Sequence, residues 1–311
     1  MFIKKKIAIR DSADVPNTAH AQNKHWVGIA LVLLAAMLWG TTGTVRALTL
    51  ADAPSLAVGA MRMVIGGLAL LALATLRRSD NQQTPAPSWA KRPLLGASAC
   101  MAAYQLFFFA GVRLTGVAAG TVITIGSAPV LAGLLAWLLR GERPTARWWV
   151  ATCMAVLGCI LLGTAQSADA GALNPLGIVL ALGAGASYAL YAVFSKQLLA
   201  QHSAPAVAGW VFSIGALFLL PILFFQDVQW LTEPRSLLGA FILGLFATAL
   251  AYTFFSEGLK RINIGTAVTL SLMEPVTAGI LAVTLLHETL PLQGWLGVGL
   301  VFAGMIAVSS E

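Results

Sequence analysis

The sequence predicts an all-α membrane protein whose ten transmembrane helices are built from two inverted five-helix repeats. Three observations support this fold class. The 311 residues are 58% apolar and only 10% charged, which is more hydrocarbon than the core of a soluble protein can bury. Long apolar runs recur along the chain, and the second half of the chain repeats the first. The basic residues fall mainly in every second connection between these runs.

The clearest internal repeat relates residues 128–158 to residues 274–304 at a constant offset of 146. Pro-Val-Leu-Ala-Gly at 129–133 recurs as Pro-Val-Thr-Ala-Gly at 275–279. Further matches at this offset are Glu142 with Glu288, Trp149 with Trp295, and Gly158 with Gly304. The chain is therefore a duplication. We expect an N-terminal cytoplasmic tail at 1–25, a first repeat at 26–165 and a second repeat at 172–309.

Ten apolar runs are each long enough to form one transmembrane helix. A helix that crosses the ~30 Å hydrocarbon layer needs about 20 residues at 1.5 Å per residue. The predicted spans are residues 26–45, 54–76, 93–112, 117–139, 148–163, 176–194, 205–225, 237–256, 264–286 and 293–308. The connections between them are short, so no second soluble domain is expected.

The distribution of Lys and Arg predicts the orientation of the spans. Five spans per repeat is an odd number, so the second repeat enters the membrane from the opposite side to the first. Cytoplasmic loops collect basic residues, and with the N-terminus inside, fifteen of the nineteen Lys and Arg residues are cytoplasmic. Both chain ends are then cytoplasmic. This pattern explains the net charge of +7 without a nucleic-acid-binding patch.

The doubled Pro-to-Glu signature resembles the paired EamA modules of the drug/metabolite transporter superfamily. The matching residues are Ala128-Pro129-Val130, Ala132-Gly133, Glu142, Trp149 and Gly158, their second copies from Glu274-Pro275-Val276 through Glu288 to Gly304, and Trp39-Gly40-Thr41 with Arg62. The resemblance covers about residues 26–308. It implies a ten-helix carrier in a bacterial inner (plasma) membrane that moves metabolites, amino acids or drugs, commonly outward. It does not imply one substrate.

Pro129 and Pro275 lie at equivalent places, about midway along the fourth and ninth spans. Each proline removes a backbone donor and leaves a carbonyl one turn earlier without its helical partner. Interrupted helices at matched positions of two repeats are typical of the binding sites of secondary transporters. We therefore expect helix breaks at Pro129 and Pro275 that line a substrate site, with a kink that only shapes packing as the alternative.

Arg62 and Glu274 are the charged residues that lie well inside predicted spans. A charge at this depth costs at least ~2.5 kcal/mol unless it is paired or hydrated. Three interpretations are open. The two residues form a buried pair, they bind the carboxylate and the ammonium of a zwitterionic substrate, or Glu274 satisfies backbone donors beside Pro275. Glu274 is also the candidate carrier of a coupling proton.

Internal aromatic residues offer an apolar face and one polar atom, which suits a cavity for amphipathic molecules. The candidate cavity residues are Trp39, Tyr104, Tyr188, Tyr191 and Tyr252, with the polar residues Thr41, Thr42 and Gln105. Ordinary core packing is the alternative. Tryptophans near span ends are predicted to form interfacial belts; these are Trp26, Trp89, Trp148, Trp149 and Trp230. We expect Glu142 and Glu288 to have structural roles on opposite membrane faces.

The predicted function is secondary active transport of a small molecule by alternating access, most simply as an exporter and with protons as the coupling ion. The sequence has no G-x-x-x-x-G-K-[ST] phosphate loop of an ATP-driven pump. Its four histidines are scattered and it has no H-E-x-x-H motif, so we expect no enzyme activity, metal or cofactor. A passive facilitator or channel for the same solutes is the alternative.

Overall fold

A computed structural model of the chain describes residues 18–79, 88–165 and 174–310. These residues form twelve α-helices, and no β-strand occurs among them. The helices are α1 (Thr18–Thr49), α2 (Ser55–Ser79), α3 (Lys91–Thr115), α4 (Val117–Arg140), α5 (Ala146–Ala165), α6 (Pro175–Leu198), α7 (Ala204–Leu223), α8 (Pro234–Gly244), α9 (Ala251–Leu259), α10 (Ile264–Leu270), α11 (Met273–Leu285) and α12 (Leu292–Ser309). Ten helical runs in the described part of the chain are long and apolar enough to cross a membrane, which confirms the predicted fold class.

The helices differ from the predicted spans at the start of the chain and in the eighth span. Helix α1 begins at Thr18, eight residues before the predicted start of the first span; residues 1–17 lie outside the described ranges. The eighth span joins α8 to α9 through a π-helical segment, Leu245–Leu250. Within it the Thr248 hydroxyl donates to the carbonyl of Leu243 at 3.0 Å. Single π-helical turns inside α-helices often occur at functional sites.

The two prolines have different effects on their helices. Helix α4 runs unbroken through Pro129, so the predicted break does not occur in the fourth span. The ninth span is divided into α10 and α11 at Ser271 and Leu272, just before Pro275. At this division the Glu274 N–H donates to the carbonyl of Ser271 at 3.0 Å. The second repeat therefore has a helix break in its proline-containing span, and the first repeat does not.

The two repeats interleave, because the largest helix interfaces join a helix of one repeat to a helix of the other. These interfaces are α3 with α6, α5 with α12, α2 with α7, α4 with α6, and α1 with both α9 and α11. The symmetry that relates the two repeats places α2 on α7 and α5 on α12. The α2–α7 and α5–α12 interfaces therefore each join a helix to its own repeat equivalent. This is the arrangement expected for inverted repeats related by an axis in the membrane plane.

Helices α5 and α12 approach each other at glycines that are repeat equivalents. A Cβ atom on Gly158 would lie 2.6 Å from the carbonyl oxygen of Gly297, and one on Gly304 would lie 2.6 Å from that of Ala151. Helices in lipid associate through such close backbone contact, since lipid is as apolar as their side chains. The glycines thus fix the distance between the last helices of the two repeats.

Helices α4 and α11 end in two turns of the same conformation. Gly141 and His287 both have a left-handed backbone, with φ of 72° and 56°. The next N–H in each turn, that of Glu142 or Glu288, donates to a carbonyl six residues earlier, at 3.3 and 3.1 Å. A left-handed residue just after the last helical turn is a common way for a helix to end. The left-handed conformation is strained for a residue with a Cβ atom, so His287 carries strain that Gly141 avoids.

Candidate functional site

A central cavity of about 40 Å³ lies between the two repeats, and both repeats supply its walls. A cavity of this size holds only a few water molecules, so it must widen before it can bind a metabolite. Its lining residues are Trp39, Arg62, Tyr104, Thr124, Ile125, Ala128, Tyr188, Tyr252, Ser271 and Glu274.

Close backbone contacts place the side chains at this cavity. Beside Trp39, a Cβ atom on Gly40 would lie 2.7 Å from the carbonyl oxygen of Glu274. Helices α1 and α11 are therefore in contact where both line the central cavity. One turn after Arg62, a Cβ atom on Gly66 would lie 2.5 Å from the Thr248 side chain. Helix α2 therefore packs directly on the π-helical segment. Small residues at these two crossings allow the helices that carry the charged groups to converge.

Arg62 and Glu274 share this cavity, and each is partly buried. Among the described residues, no ion pair within the 4.0 Å limit involves either of them. No side-chain hydrogen bond links them either within the described ranges. The sequence left a buried pair open as one interpretation, and in this conformation the two charges are not paired with each other. A guanidinium and a carboxyl group thus face one small cavity, each available to a ligand.

Aromatic rings form most of the remaining wall. The Trp39 ring lies 4.8 Å from the Tyr252 ring and 6.2 Å from the Tyr188 ring, and the Tyr104 ring lies 6.1 Å from that of Tyr188. These centroid distances are in the range of favourable aromatic pairs. The cavity therefore combines two opposite charges with a cluster of apolar surfaces, an arrangement suited to a small amphipathic molecule.

Two polar groups at the cavity wall, the Trp39 indole N–H and the Ile125 carbonyl, lack their usual hydrogen-bond partner. The Trp39 indole N–H is buried and has no hydrogen-bond acceptor among the described residues. Pro129 has no N–H, so the carbonyl of Ile125 cannot receive the helical bond from that position. A buried polar group normally has a partner. The Trp39 indole N–H thus lacks the acceptor, and the Ile125 carbonyl lacks the helical donor, that such groups normally have.

Six predicted site residues are absent from the cavity lining: Thr41, Thr42, Gln105, Pro129, Tyr191 and Pro275. The Thr41 hydroxyl donates to the carbonyl of Leu38 at 2.7 Å. Tyr191 is 1% exposed and packs edge-on against Phe212. Gln105 is 1% exposed and borders the close approach at Gly59.

The lining also includes residues that the sequence did not indicate: Thr124, Ile125, Ala128 and Ser271. The repeat offset contained a signal for Ala128, which is equivalent to the candidate Glu274; Ile125 and Ser271 are equivalent to each other but not to any candidate. Thr124 had no such signal. Its hydroxyl donates to the carbonyl of Ala181 at 3.0 Å, a contact between repeats that only the fold reveals.

Two of the tryptophans predicted to lie in interfacial belts are instead buried. Trp148 is 3% exposed, and its ring fills the space beside Gly133 of α4 and Gly265 of α10. Trp230 is 8% exposed and its indole N–H donates to the carbonyl of Asp227 at 3.0 Å. Trp26, which also lies near a span end, is 48% exposed. Position near a span end therefore does not predict whether a tryptophan is buried, because burial depends on the neighbouring helix.

Comparison with known proteins is consistent with this architecture. The EamA-like transporter family matches the chain twice, at residues 26–164 and 175–310. The chain is 42% identical over 279 residues to YwfM of Bacillus subtilis (strain 168), named an uncharacterized transporter, with 90% of this chain and 92% of that protein covered. It is 29% identical over 287 residues to the threonine/homoserine exporter RhtA of Escherichia coli (strain K12), covering 89% and 90% of the two chains. One crystal structure matches with a TM-score of 0.77 at 20% identity, over 90% of this chain and 95% of its own.

Proposed function

Because the chain belongs to the EamA-like transporter family, we propose that it is a secondary active exporter of small zwitterionic metabolites, with amino acids as the substrate class. The observation that carries this proposal is the pair of opposite charges, Arg62 and Glu274, that face one cavity without pairing with each other. A carboxylate fits the planar guanidinium in a bidentate contact. An ammonium group is the matching partner of a carboxylate.

The rest of the cavity supports a substrate with a small side chain. Trp39, Tyr188 and Tyr252 supply apolar surface, and the Trp39 indole N–H offers one donor for a polar substituent. The volume of about 40 Å³ requires the site to expand, which favours a small solute over a large drug. A relative at 29% identity carries the name threonine/homoserine exporter, and this name supports the same class of substrate.

Alternating access is the mechanism that the architecture supports. Inverted repeats give the molecule two related conformations, in which a central site faces one side of the membrane and then the other. Glu274 is the carboxyl group at the site, so exchange of a proton for a substrate ammonium at this group would couple export to proton entry. A passive facilitator with the same fold is the alternative, since it would bind the same solutes without coupling.

The charge distribution supports an orientation. The face with the α4–α5 connection, here called the Glu142 face, contains Arg140, Arg143, Arg147, Lys260 and Arg261. Cytoplasmic loops collect such residues, so we place the Glu142 face in the cytoplasm and the opposite face, with Glu288, outside. The protein would then lie in a bacterial inner membrane with both chain ends cytoplasmic.

A competition assay in vesicles tests the substrate class. Purified protein in liposomes should exchange radiolabelled threonine for unlabelled threonine. Threoninol, which lacks the carboxylate, and N-acetylthreonine, which lacks the ammonium, should compete poorly. Equal competition by all three compounds would contradict recognition of a zwitterion.

Substitution of Arg62 tests the role of the cavity charge. Arg62→Ala should raise the apparent KM for the amino acid roughly tenfold or more, because a hydrogen bond to a charged group contributes about 1.5–3 kcal/mol. Arg62→Lys keeps the charge without the planar fork and should have an intermediate effect. Wild-type kinetics in a well-inserted Arg62→Ala variant would remove Arg62 from the site.

An imposed pH gradient distinguishes the two mechanisms. A proton-coupled carrier accumulates labelled substrate against its gradient when the pH differs across the vesicle membrane. A facilitator only equilibrates the substrate. Exchange without accumulation would therefore favour the passive alternative.

A further inference from the structure

The side chain of Glu142 joins the first repeat to the second at the Glu142 face. One carboxylate oxygen accepts the backbone N–H of Ile264, the first residue of α10, at 3.0 Å. The other oxygen lies 3.7 Å from the ammonium of Lys196 on α6 and 3.4 Å from Arg140 Nε. Glu142 follows α4, whereas α6 and α10 belong to the second repeat. The contact is thus more than a local cap at the α4–α5 connection.

Lys196 holds the same turn from its other side. Its ammonium donates to the carbonyl of Ile262 at 2.6 Å, two residues before the N–H that Glu142 accepts. Ile262 is 3% exposed and Ile264 is completely buried. The lysine and the glutamate, themselves 17% and 21% exposed, therefore clamp the turn that leads from α9 into α10.

Helix α10 connects this clamped turn to the central cavity. It spans only Ile264–Leu270, and the chain then breaks at Ser271 and Leu272 before α11 begins. Ser271 and Glu274 line the cavity. Movement of α10 about the break would therefore open or close the route between the cavity and the Glu142 face.

A second cavity, of about 210 Å³, already extends inward beside the clamp. Its walls include Glu142, Asn263 and Thr266, and Trp148 lies among them. The Trp148 indole N–H is buried without an acceptor among the described residues. The second cavity thus extends to the clamp, and the Trp148 ring beside it lies between Gly133 of α4 and Gly265 of α10.

The described residues of the opposite face show no corresponding contact. Glu288 repeats the sequence position and the backbone turn of Glu142. Within the described ranges, however, its side chain forms no ion pair or hydrogen bond. The equivalent of the α10–α11 pair is the unbroken helix α4. Among the described residues, the clamp and the helix break therefore occur together at the Glu142 face.

We propose that Glu142 and Lys196 are positioning residues that lock α10 against α4 and α6, and that release of this lock opens the substrate route to the Glu142 face. This inference rests on the proposed transport function for its biological meaning. Glu142 and Lys196 do not line the central cavity, so they act through α10 rather than by contact with the substrate.

Cysteine accessibility tests the lock without any substrate. The native residues Cys100, Cys153 and Cys159 are replaced by alanine, and Ala128→Cys is introduced as a reporter in the cavity wall. Labelling by a membrane-impermeant maleimide is then timed in vesicles of both orientations. This background gives the reference rate from each face.

Lys196→Met removes the ammonium hydrogen bond to the Ile262 carbonyl and should accelerate labelling from the Glu142 face roughly tenfold. Glu142→Gln leaves an oxygen that can still accept the Ile264 N–H but removes the charge from that bond, so it should accelerate labelling by roughly threefold to tenfold. The double variant should add little to the single variants, because the two residues hold one turn. Arg140→Gln is the matched control. Arg140 contacts Glu142 but not the clamped turn, and loss of a partly exposed ion pair should change the rate less than about twofold.

Labelling from the opposite face provides the second control. Unchanged labelling of the well-inserted variants from the Glu142 face would overturn the lock, and so would equal acceleration from both faces, which indicates general loosening. If Glu142→Gln does not accumulate in the membrane, Lys196→Met and its rescue by Lys196→Arg decide the question. A protein that does not transport amino acids could still show the labelling change, so failure of the lock and failure of the proposed substrate are distinguishable.

Discussion

Replacement of Gly304 by alanine tests the close contact between α5 and α12. A Cβ atom at this position would lie 2.6 Å from the carbonyl oxygen of Ala151, 2.8 Å from the backbone nitrogen of Ala155 and 2.9 Å from the Ala155 Cβ. Two of these neighbours are backbone atoms, so no rotamer change can relieve the overlap. The helices must separate by several tenths of an ångström.

Two opposing terms set the expected change in the free energy of unfolding of Gly304→Ala. Overpacking of a close interface costs about 1–3 kcal/mol, whereas alanine is favoured over glycine inside a helix by about 1 kcal/mol. Gly299→Ala isolates the second term, because Gly299 lies in the same helix and a Cβ atom there has no neighbour within 4 Å. The two variants should therefore differ by the overpacking term alone.

Thermal unfolding in detergent measures this difference. With about 2–4 °C of Tm per kcal/mol, Gly304→Ala should unfold at a Tm about 2–12 °C below that of Gly299→Ala. Gly158→Ala should behave like Gly304→Ala, since it is the same contact in the other repeat. Equal Tm values for Gly304→Ala and Gly299→Ala would show that the helices do not approach as closely as described.

Three further predictions concern a cavity residue, a turn and a surface stack. Glu274→Gln should flatten the pH dependence of substrate exchange, and an unchanged profile would exclude Glu274 as the proton carrier. His287→Gly should raise stability by roughly 1 kcal/mol by relief of the left-handed strain, whereas His287→Ala should not; equal Tm values in a thermal-shift assay would contradict this. His202 stacks on Trp89 at 3.7 Å, and burial lowers its pKa from the usual 6.5. The unfolded chain then binds the proton more readily, so stability falls as the pH drops through about 6.5. His202→Phe should reduce this loss of Tm, and an unaltered acid sensitivity would argue against the histidine.

The general architecture was predictable because its signals are local and repeated. Hydropathy alone located the ten spans, and the offset of 146 established that the chain is duplicated. Arg62 and Glu274 were identifiable as site candidates because charges are rare in spans, and both line the central cavity. Trp39 and Tyr188, chosen as internal aromatic residues, also line it.

The features that sequence patterns missed depend on neighbouring helices. Pro129 and Pro275 are repeat equivalents, yet only the second span divides, at Ser271 and Leu272. The proline signature therefore did not identify which span breaks, because the residues just before the two prolines differ. The burial of Trp148 depends on neighbouring helices, since Gly133 and Gly265, which contact its ring, come from two different repeats.

The interleaving of the repeats has a consequence for the history of the chain. Since each half buries its apolar and small-residue surfaces mainly on its counterpart, one half alone would expose those surfaces to lipid. An unfused ancestral half would have needed a sister copy inserted upside down, and one gene product would have had to enter the membrane both ways. Fusion of the two copies would remove this requirement for insertion in both directions.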